Sequence, residues 1–157
     1  MIDRITPLST RKLREDENIP YDLLLLADET LDAINRYIHV SEIYIAEQND
    51  KVIAIYVLYP INNEIAEIKN IAVDEAYQNQ GIGKFLLADA EKKARQKGFK
   101  ELIIGTPDTA KKQINIYQKA GFKIAGIKKD FFTINYPEPI IEDGLILKNM
   151  VMLSKQV

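Results

Sequence analysis

The stretch YQNQGIGK at residues 77–84 guides the interpretation of the rest of the chain. It follows a run typical of a β-strand, residues 64–73, and opens a run with helical periodicity, residues 84–97. A strand, a glycine-containing turn and a helix N-terminus form an anion site, because the first N–H groups of a helix lack intrahelical partners and the helix dipole favours negative charge. Two glycines let a bulky anion approach the main chain closely. We therefore predict that this turn binds a phosphate or a pyrophosphate.

Two common phosphate-binding motifs do not fit this turn. The dinucleotide-binding fingerprint requires a third glycine where Leu86 stands. The Walker A loop requires Ser or Thr where Phe85 stands, and a glycine where Gln78 stands. What remains is the pattern Gln-x-x-Gly-x-Gly, directly after an apolar strand end at residues 71–73.

This remaining pattern closely resembles the acetyl-CoA motif of the GNAT acetyltransferase family. A second stretch, NIYQKAGF at residues 115–122, is similar to the family's Tyr-x-Lys-x-Gly-Phe segment, and the two stretches have the family's usual separation. The resemblance covers about residues 40–128 well and the two ends loosely. It implies a mixed α/β fold, in which an antiparallel meander is followed by a parallel β-α-β unit with flanking helices.

Length and composition limit the possible classes of function. With 157 residues the chain can bury a proper core, and we expect residues 1–157 to form a single domain. It has no cysteine and one histidine, so we expect no disulfide and no metal site. A net charge of −2 argues against a nucleic-acid partner. No apolar run approaches the ~20 residues of a membrane span, and residues 1–4 have no signal-peptide pattern, so we expect no membrane partner and a cytoplasmic location.

Charge is unevenly distributed along the chain. Residues 13–32 carry seven acids and one base, whereas residues 84–129 carry twelve Lys or Arg and four acids. Solvated helix faces explain most of these charges. A sharper interpretation is a basic half that binds a phosphorylated cofactor and an acidic half that binds a cationic acceptor.

Periodicity and turn residues give a provisional order of elements. The apolar positions of residues 84–97 recur at helical spacing, and the crossover that contains this helix makes the strands on either side of it parallel. The predicted strands are residues 2–6, 42–47, 52–59, 64–73, 102–104, 123–128 and 145–153; the predicted helices are residues 21–27, 31–38, 84–97 and 108–119; residues 7–20 read as turns with a short helix, and a long loop rich in Phe, Tyr and Pro precedes the last strand.

The resemblance implies which residues bind acetyl-CoA. The backbone at the strand end would hold the pantetheine arm, as in strand addition, and one backbone N–H near Val73 would donate to the oxyanion. Many family members have an Asn where Ala110 stands here, so Thr109 or Asn115 would replace that contact. The implied residues are Ile71, Ala72 and Val73 for the pantetheine, Gln78, Asn79, Gln80, Gly81, Ile82, Gly83 and Lys84 for the pyrophosphate, and Asn115.

Two residues are candidates for acid–base catalysis. Tyr117 matches the family tyrosine that protonates the departing thiolate, and a phenol pKa of about 10 lies above the thiol value of about 8.5. Glu67 lies where many relatives carry a base that acts through water. In a regular strand Glu67 would share a face with Lys69, Ile71 and Val73, but the family often has a bulge that changes this parity. Competing acids are Asp130, Glu138 and Glu142.

The C-terminal loop supplies candidates for acceptor binding. The loop resembles that of a branch of small bacterial GNAT proteins, and its aromatic and acidic residues suit the wall of an acceptor cleft. We predict that Phe131, Tyr136 and Glu142 contact the acceptor, although this loop can equally pack on itself or on a dimer partner.

The sequence therefore predicts an N-acetyltransferase that transfers an acetyl group directly from acetyl-CoA to a primary amine. The acceptor would be a small cationic molecule or a peptide, and a homodimer is possible. Aminoglycosides, polyamines, amino-acid amines and protein amines all remain open as acceptors. The alternative is a non-catalytic, regulatory acyl-CoA-binding domain, which would not need Tyr117 or Glu67.

Overall fold

The computed structural model describes residues 8–157, so the predicted strand at residues 2–6 lies outside the described residues. Nine strands, five α-helices and two 3₁₀ helices follow one another within this range. The strands are β1 (Thr10–Lys12), β2 (Glu42–Gln48), β3 (Lys51–Pro60), β4 (Ile65–Val73), β5 (Glu101–Pro107), β6 (Lys123–Lys128), β7 (Ile141–Glu142), β8 (Leu145–Ile146) and β9 (Met150–Gln156). The α-helices are α1 (Tyr21–Leu24), α2 (Leu31–Asn35), α3 (Ile82–Gln96), α4 (Lys111–Lys119) and α5 (Phe131–Asn135), and the 3₁₀ helices span Ile38–Val40 and Glu75–Tyr77.

Seven of the strands form one sheet in the order β1-β2-β3-β4-β5-β9-β6. Strands β1 to β4 make an antiparallel meander, and α3 carries the chain across to β5, which pairs with β4 in parallel. Strand β9 then inserts antiparallel between β5 and β6. The predicted fold class, a meander followed by a parallel β-α-β unit, is confirmed.

Apolar side chains cover both faces of the sheet, which gives three layers. On one face, α3 buries Leu86, Leu87, Ala90 and Ala94 against the strands, together with Tyr117 from α4. On the other face, residues of α1, α2 and the first 3₁₀ helix pack on β2 to β4. The sheet is tightly packed around Gly105, because a Cβ there would lie 2.5 Å from the sulfur of Met150 and would force that side chain to move.

The N-terminal segment differs from its prediction. Residues 7–20 were expected to be turns with a short helix, but Thr10–Lys12 form β1 against the outer edge of β2. The guanidinium of Arg11 donates to Glu17 at 2.7 Å and to Glu47 at 2.9 Å. The charged residues of this segment therefore do not line a helix. Their hydrogen bonds instead connect β1 to the loop that follows it and to β2. The predicted helices at residues 21–27 and 31–38 exist in shorter form, as α1 and α2.

Strand β5 and helix α4 also have different bounds from those predicted. The strand expected at residues 102–104 extends to Pro107, because all seven of its residues pair with β9. The helix expected from residue 108 begins at Lys111. Its predicted first residue, Asp108, is instead tied to Asn149, whose Nδ2 donates to the carboxylate at 3.1 Å.

The segment before the last strand contains more structure than a loop. Helix α5 and the β7–β8 hairpin occupy residues 131–146, and the strand predicted at residues 145–153 begins only at Met150. Asn149 marks this start, since its side chain also accepts a hydrogen bond from the backbone N–H of Asp130 at 2.9 Å. In the part of the chain that is described, no helix is both long and apolar enough to cross a membrane.

Candidate functional site

Strands β4 and β5 separate in the middle of the sheet. Their parallel pairing runs from Ile65–Glu101 to Ile68–Ile104 and stops there, although β4 continues to Val73 and β5 to Pro107. Beyond this point, among the strands of residues 8–157, β4 pairs with β3 alone and β5 with β9 alone. The two facing edges therefore carry backbone N–H and C=O groups without a strand partner, which is the arrangement that an extended, amide-containing ligand can join.

A β-bulge lies at the point of separation. Val57 of β3 pairs with Asn70 and Leu58 pairs with Ile68, so Lys69 is the extra residue on β4. Of the two alternatives, a regular strand and a bulged one, the structure has the bulged strand, so Glu67 does not share a face with Ile71 and Val73. Ile71 and Val73 pack on the α3 face. Glu67 faces the opposite side, because the extra residue inverts the alternation of side chains.

The turn before α3 presents its backbone to solvent. Asn79 and Gly81 have positive φ angles of 63° and 84°, and Gly81 is the N-cap of α3. The first intrahelical bond runs from the N–H of Phe85 to the carbonyl of Gly81, and the first turn contains no acidic residue. Gln78 fastens the turn to β4 by donating to the carbonyl of Val73 at 2.9 Å.

The predicted pyrophosphate turn fits an anion for a second reason. A Cβ built on Gly81 or on Gly83 meets no other atom within 4 Å. Gly83 also has an ordinary helical φ, so packing within the protein does not require glycine at this position. The space left by its missing side chain lies beside the N–H groups of the first helical turn, where an anion is favoured.

Tyr117 lies on α4 with only 4% of its surface exposed. Its hydroxyl oxygen accepts a hydrogen bond from Nε2 of Gln113 at 2.9 Å, so the hydroxyl proton can be directed to another acceptor. Burial raises the pKa of the phenol above its ordinary value, an effect that the bond from Gln113 partly offsets. The group therefore keeps its proton at neutral pH, as a general acid must.

Glu67 is 5% exposed and forms an ion pair inside a cleft. Its Oε1 lies 3.3 Å from Nζ of Lys69, the bulge residue. The same ammonium lies 5.3 Å from the centre of the Tyr59 ring. The carboxylate of Glu67, which the sequence predicts to be a base, therefore has the ammonium of Lys69 beside it within the cleft.

This cleft has a volume of about 520 Å³ and brings together residues from distant parts of the sequence. It begins at the separated strands and extends between α2, α4 and the C-terminal segment. The predicted catalytic and acceptor residues Glu67, Tyr117, Phe131, Tyr136 and Glu142 all line it, and so does Ile71. Asn115, which was predicted to contact the cofactor, is exposed on α4 and does not line this cleft.

Asp28 holds the outer wall of the cleft. The hydroxyl of Tyr136 donates to its Oδ1 at 2.6 Å, and the hydroxyl of Tyr37 donates to its Oδ2 at 3.0 Å. Asn70 continues the chain of hydrogen bonds by donating to the hydroxyl oxygen of Tyr37 at 3.2 Å and to the carbonyl of Leu24 at 3.0 Å. Burial, and then the bond to Asp28, raise the pKa of Tyr136, so its hydroxyl remains a donor.

Two acidic residues, Glu29 and Glu142, lie close together at the mouth of the cleft. Partial burial and the nearby carboxylate of Glu142 raise the pKa of Glu29 above its usual range. Within residues 8–157, neither Glu29 nor Glu142 has a Lys or Arg within ion-pair distance. The same residues contain no cluster of three His, Asp or Glu side chains able to hold a metal ion.

Sequence reasoning missed several residues of the cleft. Gln113 precedes Tyr117 by one helical turn, and this i, i+4 spacing is the signal that could have identified it. Asn70, the polar residue directly before the apolar strand end at residues 71–73, was a second signal. Asp28, Tyr37 and Tyr59 come from three separate segments of the chain. No local pattern connects them to the glycine-containing motif at residues 77–84.

Comparison with known proteins agrees with this geometry. The acetyltransferase (GNAT) family matches residues 5–122. An uncharacterised N-acetyltransferase of Bacillus subtilis, YvbK, is 42% identical over 133 residues, which are 85% of this chain and 86% of that protein.

Two solved structures are similar over nearly the whole chain. A GNAT acetyltransferase from Elizabethkingia anophelis with acetyl-CoA bound has a TM-score of 0.93 and 46% identity, and the match covers 96% of this chain and 98% of that one. A Bacillus subtilis acetyltransferase in complex with CoA has a TM-score of 0.88 and 38% identity, with 96% and 99% covered. The chain therefore belongs to the GNAT family of N-acetyltransferases.

Proposed function

We propose that this protein transfers the acetyl group of acetyl-CoA directly to a primary amine of a small cationic molecule or peptide. The observation that carries the proposal is the convergence of one open strand edge, one buried tyrosine and one buried glutamate on a single cleft. We also propose that residues 1–157 form one catalytic domain and that it works in the cytoplasm.

The donor site would consist of the open edge of β4 and the turn before α3. The backbone of residues 71–73 would bond the amides of the pantetheine arm, and the exposed N–H groups at residues 81–84 would bond the pyrophosphate. Lys84 is exposed in the first helical turn and would add a charge-assisted contact. Bound acetyl-CoA supplies an activated thioester, and the protein supplies its position.

Two residues of the cleft, Glu67 and Tyr117, would carry out the proton transfers. Glu67 would accept a proton from the acceptor ammonium, directly or through one water, so that the neutral nitrogen can attack the thioester carbon. The C–N bond forms, the C–S bond breaks, and the hydroxyl of Tyr117 would give its proton to the departing sulfur. The nitrogen would then lose its remaining excess proton, which would return through water to the Tyr117 oxygen and leave the neutral amide and CoA thiol as products. A backbone N–H near Val73 would stabilise the oxyanion between these steps. Without a cysteine, the chain offers no thiol for a covalent acetyl-enzyme.

The acidic residues of the cleft support a cationic acceptor. Asp28, Glu29 and Glu142 line its outer part, and the pKa of Glu29 is raised first by partial burial and then by the neighbouring carboxylates of Glu142 and Asp28. A cation bound there would relieve this repulsion.

Exposed apolar residues support a homodimer. Strand β6 is the edge of the main sheet and every one of its residues is exposed, including Ile124 and Ile127. An unprotected edge strand with apolar side chains is a surface that a second copy of the chain can cover.

The first prediction tests the donor site. Acetyl-CoA at 100 times its dissociation constant should raise the free energy of unfolding by about 2.7 kcal/mol. Gly83→Asp should abolish this increase, because it places a side chain and a negative charge in the proposed pyrophosphate space. Chemical denaturation with and without acetyl-CoA measures both values. Ala88→Asp, on the exposed side of the same helix, controls for the added charge, and undiminished binding by Gly83→Asp would refute the site.

The second prediction tests Tyr117 and separates an enzyme from a regulatory acyl-CoA-binding domain. Tyr117→Phe removes only the hydroxyl, so turnover should fall roughly 10²-fold or more while acetyl-CoA affinity hardly changes. Since the pKa of Tyr117 is raised, the deficit should stay constant from about pH 7 to pH 9. Thiol release measures turnover. Tyr21→Phe removes a hydroxyl that bonds Asn35 outside the cleft and should have no effect. Equal turnover of Tyr117→Phe and wild type would make Tyr117 a packing residue.

The third prediction tests the class of acceptor. Polyamines and aminoglycosides should be better acceptors than neutral or acidic amines, and their apparent affinity should fall with salt, because exposed charges are screened over ~8 Å at physiological ionic strength. Glu142→Gln should weaken these acceptors without changing acetyl-CoA affinity. Glu138→Gln removes an acid of the same segment that does not line the cleft, and is the matched control. If acidic amino acids are the best acceptors, the cationic class is wrong.

The fourth prediction tests the dimer. Light scattering should give twice the chain mass for the wild type, and Ile127→Lys should shift the mass toward the monomer. Val40→Lys is a matched control, since Ile127 and Val40 are 65% and 64% exposed but Val40 lies in the first 3₁₀ helix. A monomeric wild type at micromolar concentration, or a dimer that is equally stable in both variants, would contradict the interface.

A further inference from the structure

Within the described residues 8–157, Lys69 is the one cationic side chain at ion-pair distance from the proposed base. As the bulge residue it has no partner on β3, and its side chain lies in the cleft with 28% of its surface exposed. Its ammonium is 3.3 Å from Oε1 of Glu67 and 5.3 Å from the centre of the Tyr59 ring. The proposed reaction gives this cation no role, and a second positive charge near the attacking amine is unexpected in a cleft that recruits cations.

The charge beside the attacking nitrogen affects the reaction in a definite direction. An ordinary primary amine has a pKa of about 10.4, so at neutral pH it arrives as an ammonium that cannot attack. An uncompensated carboxylate within about 4–6 Å would stabilise that ammonium and raise its pKa further. A base must therefore be close to the amine and yet must not hold it in the charged form.

We propose that Lys69 is a positioning residue that neutralises the charge of Glu67 in the acceptor cleft, so that the bound amine loses its proton readily and attacks as the neutral nucleophile. This inference rests on the proposed acetyl transfer. With Lys69 in place, the amine meets a nearly neutral ion pair at its reacting end. Glu29 and Glu142 at the mouth of the cleft attract the cation, and the ion pair at the inner end permits its deprotonation.

The surroundings of the ion pair leave this role to Lys69. Within residues 8–157, no other charged side chain lies within 4 Å of the Glu67 carboxylate as an ion-pair partner. The guanidinium of Arg36 donates instead to the carbonyl of Asn135 at 2.9 Å, and the ammonium of Lys128 lies 5.7 Å from the centre of the Phe131 ring. The remaining titratable groups that face the cleft are Asp28, Glu29, Tyr37, Tyr59, Tyr117, Tyr136 and Glu142.

The test is the pH dependence of a single acetyl transfer with both substrates saturating, since that rate reports the protonation of the bound complex. A polyamine serves as the acceptor. Lys69→Gln should move the acid limb of this profile upward by about one pH unit, because it leaves the carboxylate uncompensated. Lys69→Arg should restore the wild-type limb. Lys128→Gln removes a cation from the same cleft without breaking the ion pair, and should move the limb much less.

Removing the carboxylate instead of the ammonium gives a second test, because the acid limb of the pH profile should then shift in the opposite direction. Glu67→Gln should move the acid limb of its residual activity downward, because the cation of Lys69 then stands alone beside the amine, and the double variant should lie between the two single ones. A purely structural Lys69 would lower the rate by one factor at every pH and leave the limb in place, which would overturn the inference. If the wild type transfers acetyl to no amine at all, the proposed function itself has failed.

Discussion

The site depends on the end of the parallel pairing between β4 and β5. A sheet that continued this pairing to Val73 would use its backbone groups internally and would have no opening. The sheet remains intact because each strand keeps its outer neighbour, β3 for β4 and β9 for β5. The opening between β4 and β5 is therefore held by a paired strand on each side. This pairing positions the N–H and C=O groups of the two open edges before any ligand arrives. The turn that follows β4 then places the N-terminus of α3 beyond the open edge.

The bulge at Lys69 decides which side chains reach the cleft. Without it, Glu67 and Ile71 would face the same side of β4, and either the glutamate would enter the apolar core under α3 or the isoleucine would leave that core. One extra residue lets Glu67 and Asn70 face the α1–α2 side, while Ile71 and Val73 still pack under α3. A local irregularity in one strand thus satisfies both the core and the cleft.

Local signals in the sequence predicted the turn and helix of the proposed donor site, but not the long-range contacts that build the wall of the cleft. The turn at residues 77–84 and helix α3 follow each other directly, so glycine spacing and helical periodicity were enough to place them. Pairs such as Tyr136 with Asp28 join residues that are 108 positions apart, and only the folded chain reveals them. The same reason explains why β1 was read as turns, since it forms only against the edge of β2. The roles of the individual residues remain predictions.

A cleft that binds amines must meet two electrostatic demands that oppose each other. Negative charge attracts a cationic acceptor, but negative charge beside the reacting nitrogen keeps that nitrogen protonated and unreactive. In the proposed acceptor cleft these two demands are separated in space. Among residues 8–157, the carboxylates of Glu29 and Glu142 have no ion-pair partner at the mouth, whereas the buried carboxylate of Glu67 is paired with Lys69 next to the open edge of β4. Because the bulge supplies both the parity that turns Glu67 toward the cleft and the extra residue that forms its ion pair, one backbone irregularity links the geometry of the site to its charge.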